Sequence, residues 1–193
     1  MKICVFGAAS SRIDEKYVEA VEKLGEEIAV RGHELVFGAG GSGLMGAAAR
    51  GVESGGGKIY GIIPDFFRNE HIETIYDHCT ELIFTDTMRE RKAKMEDLAD
   101  AFIIVPGGIG TFEELFEVLT LKQLGRHSKP IAIYNIDGYY DSMETMMYHA
   151  MKERFVRSNC RMLYMYFTDT EEMFDYIETD SGTDLGVHQL KDG

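Results

Sequence analysis

The 193-residue sequence has no tryptophan, three prolines and three cysteines. Cys4, Cys79 and Cys160 are scattered, form no CxxC pair and are odd in number, so no disulfide is expected and the thiols suit a reducing compartment. The six histidines include no HExxH and no paired ligand spacing, so metal catalysis is unsupported and no metal is expected. No Gly-Lys-Ser or Gly-Lys-Thr occurs, which excludes a P-loop. Basic residues are in deficit, 20 against 33 acidic, for a net charge of −13. Nucleic acid and anionic membrane are therefore not expected partners, because both would be repelled. No apolar run approaches the roughly 20 residues that span a bilayer. The start, Met1-Lys-Ile-Cys-Val-Phe-Gly7, reads as a strand rather than a signal peptide, so a cytoplasmic protein is expected.

Strand and helix patterns alternate through the chain. Lys2 to Gly7 is a short apolar strand, and Gly7-Ala-Ala-Ser-Ser11 is a turn of small residues. Tyr17, Val21, Leu24 and Ile28 recur at spacings of three and four, which predicts a helix from Asp14 to Arg31 closed by Gly32. Further strands are expected at 33–37, 58–63, 81–86, 101–105, 130–135 and 162–168, with helices between them and a last helix at 169–177. The pattern predicts an α/β fold, a three-layer doubly wound parallel sheet of about seven strands with helices on both faces. Residues 1–178 form one domain in this reading, and 179–193 a polar tail expected to fray. Asp65 to Cys79 is polar and irregular, an expected active-site or interface loop.

The chain is organised around Val105-Pro-Gly-Gly-Ile-Gly-Thr-Phe-Glu-Glu-Leu-Phe-Glu117. A buried strand that ends in Pro-Gly-Gly and restarts as a helix at Thr111 leaves unpaired N–H groups at the positive end of a helix dipole. That arrangement seats an anion, and phosphate is the obvious guest. Gly107, Gly108 and Gly110 would permit close approach and positive φ. Thr111-x-x-Glu114 also fits a capping box. Capping explains neither the glycines nor Glu113, so a functional role is favoured for Glu114.

Two further stretches add to it. On a helix over 87–98, Met88, Arg91, Lys92, Met95 and Leu98 share the face that should be buried, and a buried cation needs a partner. That helix would open onto the same sheet edge as the glycine turn, so Arg91 would meet either a ligand anion or Glu114; a snorkelling arginine is the plainer alternative. Gly38-x-Gly40-x-x-Gly43 has the dinucleotide spacing but follows the second strand rather than the first, which argues against a dinucleotide. It reads either as tight helix–sheet packing or as a second wall of a mononucleotide pocket. Met143, Met146, Met147, Tyr148 and Met151 crowd one helix, as core or subunit interface.

Together, Pro106-Gly-Gly-x-Gly-Thr111-x-x-Glu114, Met88-x-x-Arg91-Lys92 and Gly40-Gly-x-Gly-Leu-Met-Gly46 resemble the lonely-guy family, cytokinin riboside 5′-monophosphate phosphoribohydrolases often labelled putative lysine decarboxylases. The resemblance runs from Lys2 to about Ile177. It implies a Rossmann-like homodimer that cleaves the N-glycosidic bond of adenine nucleotides, with no cofactor. Carried over, Arg91 and Glu114 would be the catalytic pair. Gly107, Gly108, Gly110 and Thr111 would hold the 5′-phosphate, and Lys92, Glu113 and Thr120 would line the nucleotide site, with Gly43 and Met88 contributed by the companion motifs. Another family glutamate falls on Glu73, and Ser10 would contact phosphate or ribose. The alternative is a nucleotide or molybdenum-cofactor carrier that uses the same cradle without hydrolysis. Decarboxylation would need pyridoxal phosphate on a lysine, and no lysine stands in a context that indicates it.

Overall fold

In the computed structural model, which describes residues 1–70 and 74–180, with the side chains of 68–70 left aside, the strands are β1 (Lys2–Phe6), β2 (Glu34–Phe37), β3 (Ile59–Pro64), β4 (Glu81–Thr85), β5 (Ala101–Ile104), β6 (Ile131–Tyr134) and β7 (Met165–Phe167). All pair in parallel in the order β4-β3-β2-β1-β5-β6-β7. The order reverses direction between β1 and β5, and a crevice opens there at the carboxyl ends of the strands.

Alternate side chains on each strand go to opposite faces. Ile3 and Val5 of β1 pack on one face with α1 (Glu15–Val30), α2 (Gly43–Ser54) and α7 (Thr170–Thr179). Cys4 and Phe6 pack on the other with α4 (Met88–Leu98), α5 (Ile109–Gln123) and α6 (Asp141–Lys152). This is the expected three-layer, doubly wound α/β architecture. The small residues of α2 let it lie unusually close to α1: a Cβ on Gly51 would stand 2.0 Å from the Glu22 carbonyl oxygen, and one on Gly25 would stand 2.3 Å from that of Ala48.

Three local expectations are corrected. The helix after the glycine turn starts at Ile109 with Gly108 as its N-cap, and no side chain caps it, so Thr111 and Glu114 do not form a capping box. Gly108 takes φ −98°, and Gly107 and Gly110 are not among the positive-φ glycines, so the turn is made without left-handed backbone. The stretch expected to be irregular contains a short helix, α3 (Asp65–Glu70), and an antiparallel bridge from Ile75 to Gly40. Cys4, Cys79 and Cys160 are free thiols. No helix of the described residues is long and apolar enough to cross a membrane. Most of the tail, 181–193, lies outside the described residues.

Candidate active site

A cavity of about 350 Å³ lies in the crevice between β1 and β5. Its rim comes from the turn after β1 (Gly7 to Ser10), the turn after β2 (Gly38, Gly40) and the start of α5 (Gly108, Gly110, Thr111, Glu114). Arg91 of α4 and Phe67 of α3 close it from the side, and Val5, Phe6, Met45 and Met95 add apolar wall.

The helix start is suited to an anion. Its first N–H groups have no side-chain cap, so they keep their partial positive charge for a ligand. The glycines do different jobs. A Cβ on Gly108 or Gly110 would meet nothing, so these positions face open space and a side chain there would fill it. A Cβ on Gly107 would stand 2.1 Å from Thr111 Oγ1, so Gly107 is set by packing of the turn against its own helix. Gly43, at φ 59°, would put a Cβ 2.6 Å from the carbonyl oxygens of Ala8 and Ser10; it allows α2 to begin directly against the turn after β1.

Arg91 is held by backbone. Its Nε donates to the Ile62 carbonyl (3.1 Å) and its Nη2 to the Gly38 carbonyl (2.9 Å), so the guanidinium bridges the ends of β2 and β3. The Phe67 ring lies 5.7 Å away, a cation–π distance. A Cβ on Gly38 would come within 1.7 Å of Arg91 Nη2, which explains the glycine there. Arg91 thus makes no ion pair with Glu114 among the described residues. It still acts on Glu114 through space. Burial pushes the Glu114 carboxyl up to about 7, against the lowering effect of Arg91 and with the support of Glu113. Near neutral pH the group is poised between acid and base.

Of the residues expected at the site, the structure brings Ser10, Arg91, Gly108, Gly110, Thr111 and Glu114 onto one cavity wall. Lys92 and Glu113 are not on it. They pair with each other at 2.5 Å, and Lys92 also meets Glu117 at 2.6 Å, because Glu113 and Glu117 are one turn apart on α5 and both face α4. Burial opposes the Lys92 charge, but the two carboxylates outweigh it and raise its pKa. This pairing answers why α5 carries a second carboxylate next to Glu114. Thr120 is exposed farther along α5, and Met88 touches Arg91 through its sulfur from outside the cavity. Gly107 and Gly43 shape the turns without lining the space. Glu73 lies outside the described residues. Gly38-x-Gly40, read as either tight packing or a second pocket wall, does line the cavity, whereas sequence reasoning missed Phe67; the aromatic pair Phe66-Phe67, separated by Asp65 from the proline that ends β3, was the available signal.

A family model described as "possible lysine decarboxylase" matches residues 45–177. The cytokinin riboside 5′-monophosphate phosphoribohydrolase LOG2 of Arabidopsis thaliana is 40% identical over 177 residues, covering 92% of this chain and 82% of that protein. The probable enzyme of the same name, LOGL3, from Oryza sativa subsp. japonica is 38% identical over 92% of this chain and 83% of its own. Among solved structures, a molybdenum cofactor binding protein from Rippkaea orientalis superposes with a TM-score of 0.70 at 20% identity, covering 92% of this chain and 95% of that one. At that identity the likeness speaks for the fold. The match over most of both chains to the plant enzymes, together with the family model, shows that this chain belongs to the lonely-guy (possible lysine decarboxylase) family.

Proposed function

We propose that the protein hydrolyses the N-glycosidic bond of adenine-type nucleoside 5′-monophosphates, AMP or a cytokinin riboside 5′-monophosphate, to free base and ribose 5-phosphate. The observation that carries this reading is the placement of Glu114, with a carboxyl near pKa 7, in the same cavity as the uncapped start of α5. Related plant proteins at about 40% identity bear the name of that activity.

The uncapped N–H groups at Gly108 and Gly110 hold the 5′-phosphate, and binding so far from the reacting bond positions the ribose C1′. The C1′–N bond breaks with its electron pair leaving on the base, and the sugar acquires oxocarbenium character. The Glu114 carboxylate faces that charge and takes a proton from the attacking water as its oxygen bonds to C1′. The proton that Glu114 accepts is passed on to the departing base, directly or through solvent, so Glu114 is regenerated and the overall step consumes water alone. Arg91, fixed on two carbonyls, balances the charge of Glu114 and favours its ionised form. Ser10, which lines the same cavity, contacts the phosphate or ribose in this reading.

Assembly as a homodimer belongs to the same reading. Tyr148 of α6 and Met165 of β7, the edge strand among the described residues, are 70 and 47% exposed and line one open cleft with Met151 and Tyr166, an apolar surface at the sheet edge. Three free thiols accord with a cytoplasmic setting.

Chromatography of AMP and of isopentenyladenosine 5′-monophosphate incubated with the protein tests the reaction. Base release by the wild type that Glu114→Gln and Arg91→Ala abolish is the expected result. Intact nucleotide despite measurable binding would replace the hydrolase with a carrier.

A further inference from the structure

The turn that carries the anion seat has each of its carbonyls held. Val105 O accepts from the Tyr140 hydroxyl at 2.8 Å, Pro106 O from the Ala8 N–H at 3.1 Å, and Gly107 O from the Tyr139 hydroxyl at 2.6 Å. Both tyrosines come from the junction between β6 and α6, remote in sequence from the seat. That junction is itself tightly made. Asp137 and Gly138 turn the chain through left-handed backbone at φ 52° and 71°, and Asn135 receives the Tyr140 N–H while donating to Asp141, each at 2.7 Å. Lys16 pairs with Asp137, and the Tyr139 ring meets Tyr17 and Tyr140 edge-on. Tyr139 is therefore fixed although 40% exposed.

We propose that Tyr139 is a positioning residue for the phosphate seat: its hydroxyl fixes the Gly107 carbonyl and so aims the Gly108 N–H at the bound anion. None of the described peptide bonds is cis, and in a trans peptide the N–H points opposite to the C=O of the same plane. Tyr139 stands outside the cavity, which Gly108 lines, so a carbonyl turned to the tyrosine puts the amide on the cavity side. If that peptide were free to rotate, it would present an oxygen where the ligand carries negative charge. Tyr140 holds the strand end one step earlier, but it is buried in the core, so its removal would mix positioning with stability. Tyr139 is the separable member of the pair.

The inference rests on the reading that this seat takes a nucleotide 5′-phosphate. Tyr139→Phe keeps the ring and removes only the hydroxyl, and the two products make suitable probes because one carries the phosphate and the other does not. Loss of one neutral hydrogen bond is expected to raise KM for AMP and the inhibition constant of ribose 5-phosphate about fivefold. The inhibition constant of adenine and the melting temperature should stay at wild-type values, with kcat within about twofold, since the amide acts on binding rather than on the reacting bond. Equal weakening of adenine and ribose 5-phosphate, or no change in either, overturns the proposal. Should the wild type release no base yet bind AMP, the hydrolase reading fails and the same fivefold criterion applies to the AMP dissociation constant. A wild type that binds neither AMP nor ribose 5-phosphate overturns both.

Discussion

Arg91 and Glu114 face one cavity without touching: the guanidinium is occupied by the carbonyls of Gly38 and Ile62, and Glu114 feels it only through space. A direct ion pair would have stabilised the carboxylate further and opposed its protonation. Separation leaves burial as the dominant influence, and the Glu114 carboxyl at about 7 is the consequence.

Activity should therefore follow the ionisation of Glu114. A carboxylate that accepts a proton from water works in its charged form, so kcat/KM is expected to rise with pH and level off above about 7. Glu113 helps to raise this group and Arg91 lowers it. Glu113→Gln should move the acid limb to lower pH, and a pH–rate profile of both proteins measures the shift.

The same group makes stability depend on pH with a definite sign. Its folded pKa of about 7 exceeds the ordinary glutamate value of 4.5, so the folded state binds more protons between those values and loses stability as pH rises through them. Glu114→Gln should match the wild type near pH 4 and exceed it by about 1–3 kcal/mol at pH 8. Urea denaturation at the two pH values gives the comparison.

Gly38→Ala tests the anchoring of Arg91. Its Cβ would fall 1.7 Å from Nη2 and 2.8 Å from Cζ, so the guanidinium must leave its place. We expect a fold that stays intact with kcat reduced on the order of 100-fold. Wild-type kcat in this variant would show that Arg91 does not need the Gly38 contact.

Alanine at the two neighbouring glycines should separate packing from ligand space. Gly107→Ala meets Thr111 at 2.1 Å and is expected to cost about 1–3 kcal/mol of stability. Gly108→Ala meets nothing in the protein, so stability should hold while KM for the nucleotide rises. Thermal melts and initial rates on both variants decide it.

For the dimer, a charge placed in the exposed apolar surface should dissociate the subunits. Sedimentation velocity is expected to show a wild-type dimer and a monomeric Tyr148→Glu; an unchanged distribution would exclude this face.

How much of this was legible beforehand varies by element. The period of α1, the apolar runs of the inner strands and the Pro-Gly-Gly turn after β5 were plain, because side-chain periodicity and glycine placement are local properties. The start of α5 was misjudged by two residues. Thr111 looks like an N-cap, but Gly108 takes that role because the uncapped turn packs Gly107 against Thr111. Lys92 and Glu113 were expected at the nucleotide site from the family resemblance, and the structure pairs them across two helices instead.

The sequence by itself determined the parallel α/β order, the acidic surface that disfavours polyanionic partners and the chemical identity of the seat, since each follows from composition or from neighbours along the chain. Only the tertiary structure decided which charges face the cavity, that Arg91 is held by the ends of β2 and β3, and that hydroxyls from the β6–α6 junction brace the glycine turn. Those contacts join residues about 30 to 50 positions apart, as in the pairs of Arg91 with Ile62 and Gly38 and of Tyr139 with Gly107. The strand order sets their proximity, and no spacing within the chain encodes it.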